Sequence, residues 1–383
     1  MTKKKVFIAG AAMTASAVLI LAAVQRLLQP KYMSDVVEGN LVADYYNTNY
    51  AHDVLFVGDC ECYENFSPVT LWEEYGIPSY IRGSAQQLIW QSYYLLEDAL
   101  RYETPKVVIF NVLSMKYGKP QNEAYNRMSI EGMRWSSSKV NNIKASMTED
   151  ESFLSYVFPI LRYHSRWSEI STDDFKYYFG VKPNFFGGYY LRADVKPAEN
   201  VPVGRPLVDY QFADTCWEYL DKMRTLCQES GIQLLLIKAP SLNPYWYDEW
   251  EQQITDYSEK YQIPYLNFLK EPILSETGVD FYHDTYDAGL HMNVYGAEKL
   301  SSWLGQYLVD HYGLMNRSNE PAMLDEWGEL CHRYHAEYDR QIANLEQFGN
   351  VHGKPESPDA EPARTVTSSA AESADNTGKD DTQ

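Results

Sequence analysis

Asp53-Val54-Leu55-Phe56-Val57-Gly58-Asp59-Cys60-Glu61-Cys62-Tyr63 is the stretch on which the reading of the chain turns. Val54 to Val57 is an apolar run without polar alternation, the pattern of a strand covered on both faces. It stops at Gly58 and is followed at once by a small nucleophilic side chain. Parallel α/β proteins hold their sites at the carboxyl ends of such strands, so Cys60 is the first candidate for chemistry.

The flanking sequence supplies the elements such a strand needs. Pro68 to Tyr75 reads as a short helix ended by Gly76, and Pro78 to Gly83 as a second strand. From Gln86 to Tyr102, Leu88, Ser92, Leu95 or Leu96 and Ala99 recur at helical steps. Lys106 to Val112 is the third strand. Two apolar strands joined by an amphipathic helix require a parallel sheet. Regular structure resumes with a helix from Phe212 to Ser230, ended by Gly231, and a strand from Ile232 to Ile237. A helix from Trp246 to Tyr261, a strand from Pro264 to Phe268 and a helix from Tyr295 to Tyr312 complete it. The expected fold is an α/β three-layer sandwich around a five-stranded parallel sheet in flavodoxin-like order.

Outside this frame the composition changes. Lys3, Lys4 and Lys5 precede Val6 to Val24, which carries no charge and is closed by Gln25 and Arg26. That length spans a hydrocarbon core, and the basic flank predicts a cytoplasmic N-terminus. No small-x-small cleavage site precedes Gln25-Arg26-Leu27, which favours an uncleaved anchor over a signal peptide. Residues 1–29 are therefore expected to be a single-pass membrane anchor, with the main domain extracytoplasmic. Residues 30–315 form the α/β domain, interrupted at 113–206 by an aromatic-rich insertion expected to cap the site. Within it, Arg127, Arg134, Arg162, His164 and Arg166 could hold an anionic acceptor or pair with local carboxylates. Residues 316–348 read as a C-terminal helix, with Trp327, Leu330, Tyr334, Tyr338, Ile342 and Leu345 at helical spacing. Residues 349–383 lack aromatic side chains and read as a disordered tail.

A net charge of −20 argues against a nucleic-acid partner. The five cysteines show neither zinc spacing nor a Cys-x-x-Cys pair, and no metal or cofactor is expected. Cys216 and Cys227 fall about 16 Å apart along one helix face, too far to bridge, and read as small core hydrophobes.

A second chemical block is Tyr286-Asp287-Ala288-Gly289-Leu290-His291-Met292-Asn293-Val294-Tyr295-Gly296-Ala297, between the last strand and the last helix. His291 would then lie on a loop at the same sheet edge as Cys60. Together Gly58-Asp59-Cys60 and this His block resemble the SGNH/GDSL hydrolases, with Cys where the nucleophilic Ser stands. The membrane-anchored extracytoplasmic branch, which includes the teichoic acid D-alanylation protein and envelope O-acetylation proteins, is similar in its anchor and in the Asn-x-x-Gly-Ala run.

The resemblance implies Cys60 as nucleophile, His291 as base and Asp287 as its orienter. The spacing here is Asp-x-x-x-His, one residue longer than the family's, so Asp284 stands as substitute for Asp287, and His283 and His164 as rival bases. It implies oxyanion donors at the Cys60 amide, Gly83 and Asn111, with Ser114 or Asn122 as alternatives to Asn111. The implied activity is that of an acyl esterase or acyltransferase on a cell-envelope glycan or teichoic acid. A multipass O-acyltransferase is the implied partner. Glu61, adjacent to the thiol, would disfavour a thiolate unless it points away. The alternative reading is an inactive SGNH-like module that binds glycan or scaffolds an envelope-modifying complex. A Cys60/Cys62 redox pair is a third reading.

Overall fold

The structure is a computed structural model that describes residues 2–29, 42–120, 122–179 and 185–353. Its centre is a five-stranded sheet, all parallel, in the order β2-β1-β3-β4-β5. The strands are β1 Val54–Gly58, β2 Ser79–Gly83, β3 Val107–Asn111, β4 Gln233–Lys238 and β5 Tyr265–Asn267. The sheet order places β1 between β2 and β3, so its carboxyl end lies at the reversal of strand order where open parallel sheets hold their sites.

Helices cover both faces, which is why the strands are apolar throughout. Val54, Phe56, Ile81, Ile109, Leu235 and Ile237 point to one core, shared with the helix Val294–Tyr312. Leu55, Val57, Val108, Phe110, Leu234 and Leu236 point to the other, shared with the helices Ile89–Ala99, Asp214–Glu229 and Asp248–Tyr261. Cys216 and Cys227 are buried in this second core with free thiols, as small hydrophobes.

The insertion is two different things. Short helices at Glu123–Glu131, Ser137–Ser146 and Phe153–Val157 enclose a satellite core of Ile130, Ile143 and Tyr156. The helix Ser137–Ser146 packs on Ile89–Ala99. From Phe185 onward the chain runs back through the main core with Phe186, Tyr189 and Leu191. It then braces the loop that carries His291: the amide of Lys196 donates to Thr285 O (2.8 Å), and that of Val294 to Arg192 O (2.7 Å). The insertion's cations sort toward the carboxylate alternative. Arg127 pairs with Glu123 and Glu131, Arg162 with Glu123, and Arg166 with Asp174. Arg134 instead donates to Tyr46 O.

The helix Pro321–Phe348 belongs to the domain's core. Trp327 stacks on Trp72 at 4.8 Å between centroids, and Gln341 bonds both Leu191 O and the Ala193 amide. It ends in left-handed Gly349 (φ 73°), and Asn344 then holds Val351 O. The tail expected from Gly349 is thus corrected for residues 349–353, because they complete this helix's C-terminal cap; 354–383 lie outside the described residues.

At the other end, Lys3–Leu28 is a helix of 26 residues, long and apolar enough to cross a membrane.

The Asn293-x-x-Gly296-Ala297 run has a structural cause. Asn293 caps the helix by accepting from the amides of Tyr295 and Gly296. A Cβ on Gly296 would lie 2.6 Å from Asp284 O and 2.7 Å from Met292 Sδ. Gly296→Ala is expected to cost about 1–3 kcal/mol, as overpacking does, read as a lower urea midpoint at unchanged slope.

Candidate active site

β1 delivers Asp59 and Cys60 to the start of a one-turn helix, Cys60–Tyr63, whose N-cap is Asp59. The turn needs Gly58, because a Cβ there would lie 2.6 Å from Cys62 Sγ and 3.1 Å from Asn111 Cβ. Cys62 is fully buried beneath the strand and its Sγ faces Val57 O, while Cys60 is partly exposed at the edge. All five cysteines are free thiols.

The His291 loop arrives from the far side of the sheet. Thr285 and Met292 bridge its base, and left-handed Ala288 (φ 65°) and Gly289 (φ 94°) turn its tip. That extra residue lets Asp287 fold back onto His291: Oδ1 accepts from the His291 amide at 2.7 Å, and Oδ2 meets Nδ1 at 2.6 Å. Asp284 is engaged elsewhere, in an ion pair with Lys299 (2.6 Å) and a bond from the Asp280 amide. His283 pairs with Asp284 through Nδ1 and lies against the Tyr295 ring, its side chain 58% exposed.

The other ring nitrogen, Nε2, is buried and has no hydrogen-bond partner. Cys60 lies close enough to this ring for its charge and hydrogen-bonding capacity to pull the thiol's pKa down. A second carboxylate, Glu64, stands 3.5 Å from Nδ1 and accepts from the Tyr286 hydroxyl. Tyr286 stacks on the imidazole and carries the Arg192 guanidinium 4.3 Å above its own ring.

Burial sets the protonation states first. It pushes the Cys60 thiol up to about 11; His291 pulls it down, while Asp59 and Glu64 push further. For His291, burial opposes the cation, but Glu64, Cys60 and Asp287 together hold its pKa well above the usual imidazole range. Burial, then Glu61, raises Asp59 to about 7, against the bond from Asn111.

Glu61 turns away from the thiol. It is fully buried against Lys238, whose Nζ lies 2.9 and 3.0 Å from its two oxygens and 2.7 Å from Ala239 O. Asn111 gives its amide protons to Asp59 Oδ1 (3.0 Å) and Glu61 Oε2 (2.9 Å), and its oxygen accepts from the Ala239 amide. Its carboxamide is therefore committed to this network. Of its substitutes, Asn122 caps the helix Glu123–Glu131, and Ser114 is buried against Asn111 O. Gly83 pairs in register with Gly58, and a Cβ there would lie 3.1 Å from Tyr63 and 3.2 Å from Gly58 O.

Sequence reasoning missed three charged residues. Glu64 sits one helical turn past Cys60, a spacing that could have flagged it. Lys238 closes β4, an apolar run ending in a cation. Lys116, on the turn after β3, feels the charges of Asp59, Glu61 and Cys60, while burial lowers it to about 8; nothing in its local sequence marks it. Among the described residues, no group of His, Cys, Asp and Glu is arranged to hold a metal ion.

The fold is a doubly wound α/β domain with its candidate residues gathered at the carboxyl edge of β1. No protein-family model matches the chain, and no curated protein matches it. Among solved structures it is similar to a "putative acylhydrolase" from Bacteroides fragilis, at 11% identity and a TM-score of 0.34, covering 70% of this chain and 95% of that one.

Proposed function

We propose that this protein is a membrane-anchored, extracytoplasmic acyl-transfer enzyme of SGNH type, an esterase or acyltransferase. Cys60 is its nucleophile, His291 its base and Asp287 the orienter. What carries the reading is one observation: His291 is tied through Nδ1 to Asp287 while its buried Nε2 is unpartnered beside the Cys60 thiol. The Asp287 bond fixes the tautomer with Nε2 as acceptor and stabilises the cation formed when a proton arrives. In attack, Cys60 Sγ bonds to the ester carbonyl carbon, its proton passes to Nε2, and the carbonyl oxygen takes the negative charge. The alkoxide then leaves with the proton from Nε2, giving a thioester for water or an acceptor hydroxyl to cleave.

Gly83 and the Cys60 amide are the oxyanion donors of this reading, with Lys116 a cation at the same edge. The acyl group's source and acceptor follow from the resemblance: a multipass O-acyltransferase partner, and a cell-envelope glycan or teichoic acid. The test is p-nitrophenyl acetate trapping with mass spectrometry of the Cys60 peptide. An acetyl adduct on Cys60, absent in Cys60→Ala, is expected; an unlabelled Cys60 sinks the enzymatic reading.

The committed Asn111 amide and the raised thiol pKa favour a second reading, a non-catalytic glycan-binding or scaffolding module. It requires Cys60→Ala to retain full cellular function at normal protein levels; loss of function in that variant removes it.

A further inference from the structure

Large apolar side chains are mostly hidden in the described part of this domain, and among the exposed ones a group that includes most of the large rings lies in the insertion. Leu154, Phe158, Leu161, Trp167, Phe175 and Phe179 fall in one short segment of the insertion and are 42% to 79% exposed. Single exposed apolar residues are ordinary, but such a run is the mark of a binding surface.

Its place in the fold says what it meets. The short helix Ile160–Tyr163, the 3-10 turn His164–Glu169 and the helix Thr172–Tyr178 all pack on the apolar helix Lys3–Leu28. Arg166 Nη1 donates to Leu28 O at 2.6 Å, Leu28 is buried, and the Arg26 guanidinium lies 5.7 Å above the Tyr178 ring. Lys3 to Ala22 is exposed on every side, and cover begins at Ala23. The uncharged run ends at Val24. At about 1.5 Å per residue, Val6 to Val24 measures about 28 Å, the thickness of a bilayer's hydrocarbon core. Elements that cover Ala23 to Leu28 then sit at the level of the lipid headgroups. That layer accepts aromatic rings and the apolar sides of short in-plane helices.

We propose that residues 153–179 lie in the interfacial layer of the outer leaflet, a second membrane contact beside the spanning helix. This rests on the proposed anchoring by Lys3–Leu28. Two contacts restrict the tilt of the domain where a single helix would leave it free to swing. The helix and the segment are joined by the Arg166–Leu28 bond, so the two move together.

The test uses the full chain, alone, in phosphatidylcholine vesicles doped with a phospholipid bearing a diazirine near the headgroup end of its acyl chain. Illumination and peptide mass spectrometry locate the adducts. Adducts on both 3–28 and 153–179 are expected, and with no other protein present they report lipid contact. Adducts on 3–28 without any on 153–179 overturn the proposal while leaving the anchor intact. Adducts on neither overturn the anchor and the proposal together. In a Leu161→Glu, Trp167→Glu variant, both changes at exposed positions, labelling of 153–179 is expected to fall several-fold with 3–28 unchanged. Equal labelling in that variant would also count against it.

Discussion

His291→Ala is expected to slow acylation of Cys60 by an activated ester about 10²- to 10⁴-fold, the range a positioned proton acceptor supplies. A thiol held at about 11 by burial is protonated at neutral pH, so the proton must leave as the sulfur attacks. Nε2 of His291 is the unpartnered acceptor beside it. Glu64 and Asp287, acting against burial, favour the imidazolium, which cannot accept a proton. The rate is therefore expected to be low in acid and to climb as pH rises beyond the ordinary imidazole range. Glu64→Gln removes an anion that raises both groups, so it should move the climb to lower pH while keeping Cys60 reactive. A variant that only damaged the fold would lower the rate at every pH without moving the midpoint. Stopped-flow acylation across the pH range, with iodoacetamide alkylation of Cys60 as a second readout, checks both. Equal rates in His291→Ala and wild type would remove the imidazole from the chemistry.

The sheet was legible because buried parallel strands write themselves as unbroken apolar runs, and the observed strands lie within a residue or two of the expected ones. Gly76 and Gly231 announced their helix ends for the same reason: both are left-handed, at φ 64° and 69°. Cys60 and His291 could be named as candidates because Cys60 directly follows β1 and His291 lies just before the start of the helix Val294–Tyr312, both ends that the pattern marks. Asn111 shows where that reasoning stops. Its position at the end of β3 was readable, but the partners that claim its amide, Asp59 and Glu61, are reached by side-chain direction alone. The Asp-x-x-x-His spacing was ambiguous in the same way, since a turn through left-handed Ala288 and Gly289 has no sequence period. The helix Pro321–Phe348 was visible by its stripe, yet its partner was not, because the Trp72–Trp327 stack joins residues far apart in the chain.

Lys238→Met is expected to destabilise the domain by about 3–5 kcal/mol, the cost of stranding one member of a buried ion pair. Glu61 and Lys238 both have fully buried side chains, so no solvent replaces the lost cation. The charge also reaches Asp59, which burial and Glu61 hold near 7 and which Lys238 helps to pull down. A carboxyl raised on folding leaves the native state favoured most below its unfolded range, and that advantage is lost as pH climbs to the folded value. Without Lys238 the folded value of Asp59 rises further, so the deficit of the variant should be steady up to about pH 7 and widen above it, where wild-type Asp59 has already given up its proton and the variant's has not. Asp59→Asn keeps the cap acceptor and removes the ionisation; it should flatten that pH dependence and raise stability above pH 7. Pairing Lys238→Met with Glu61→Gln should recover much of the loss, because the stranded charge is then gone. Urea titrations of the detergent-solubilised chain at pH 5 and pH 8 decide it. A Lys238→Met midpoint equal to wild type at both pH values would mean that solvent reaches Glu61, and that the network beneath Cys60 does not hold the turn that presents the thiol.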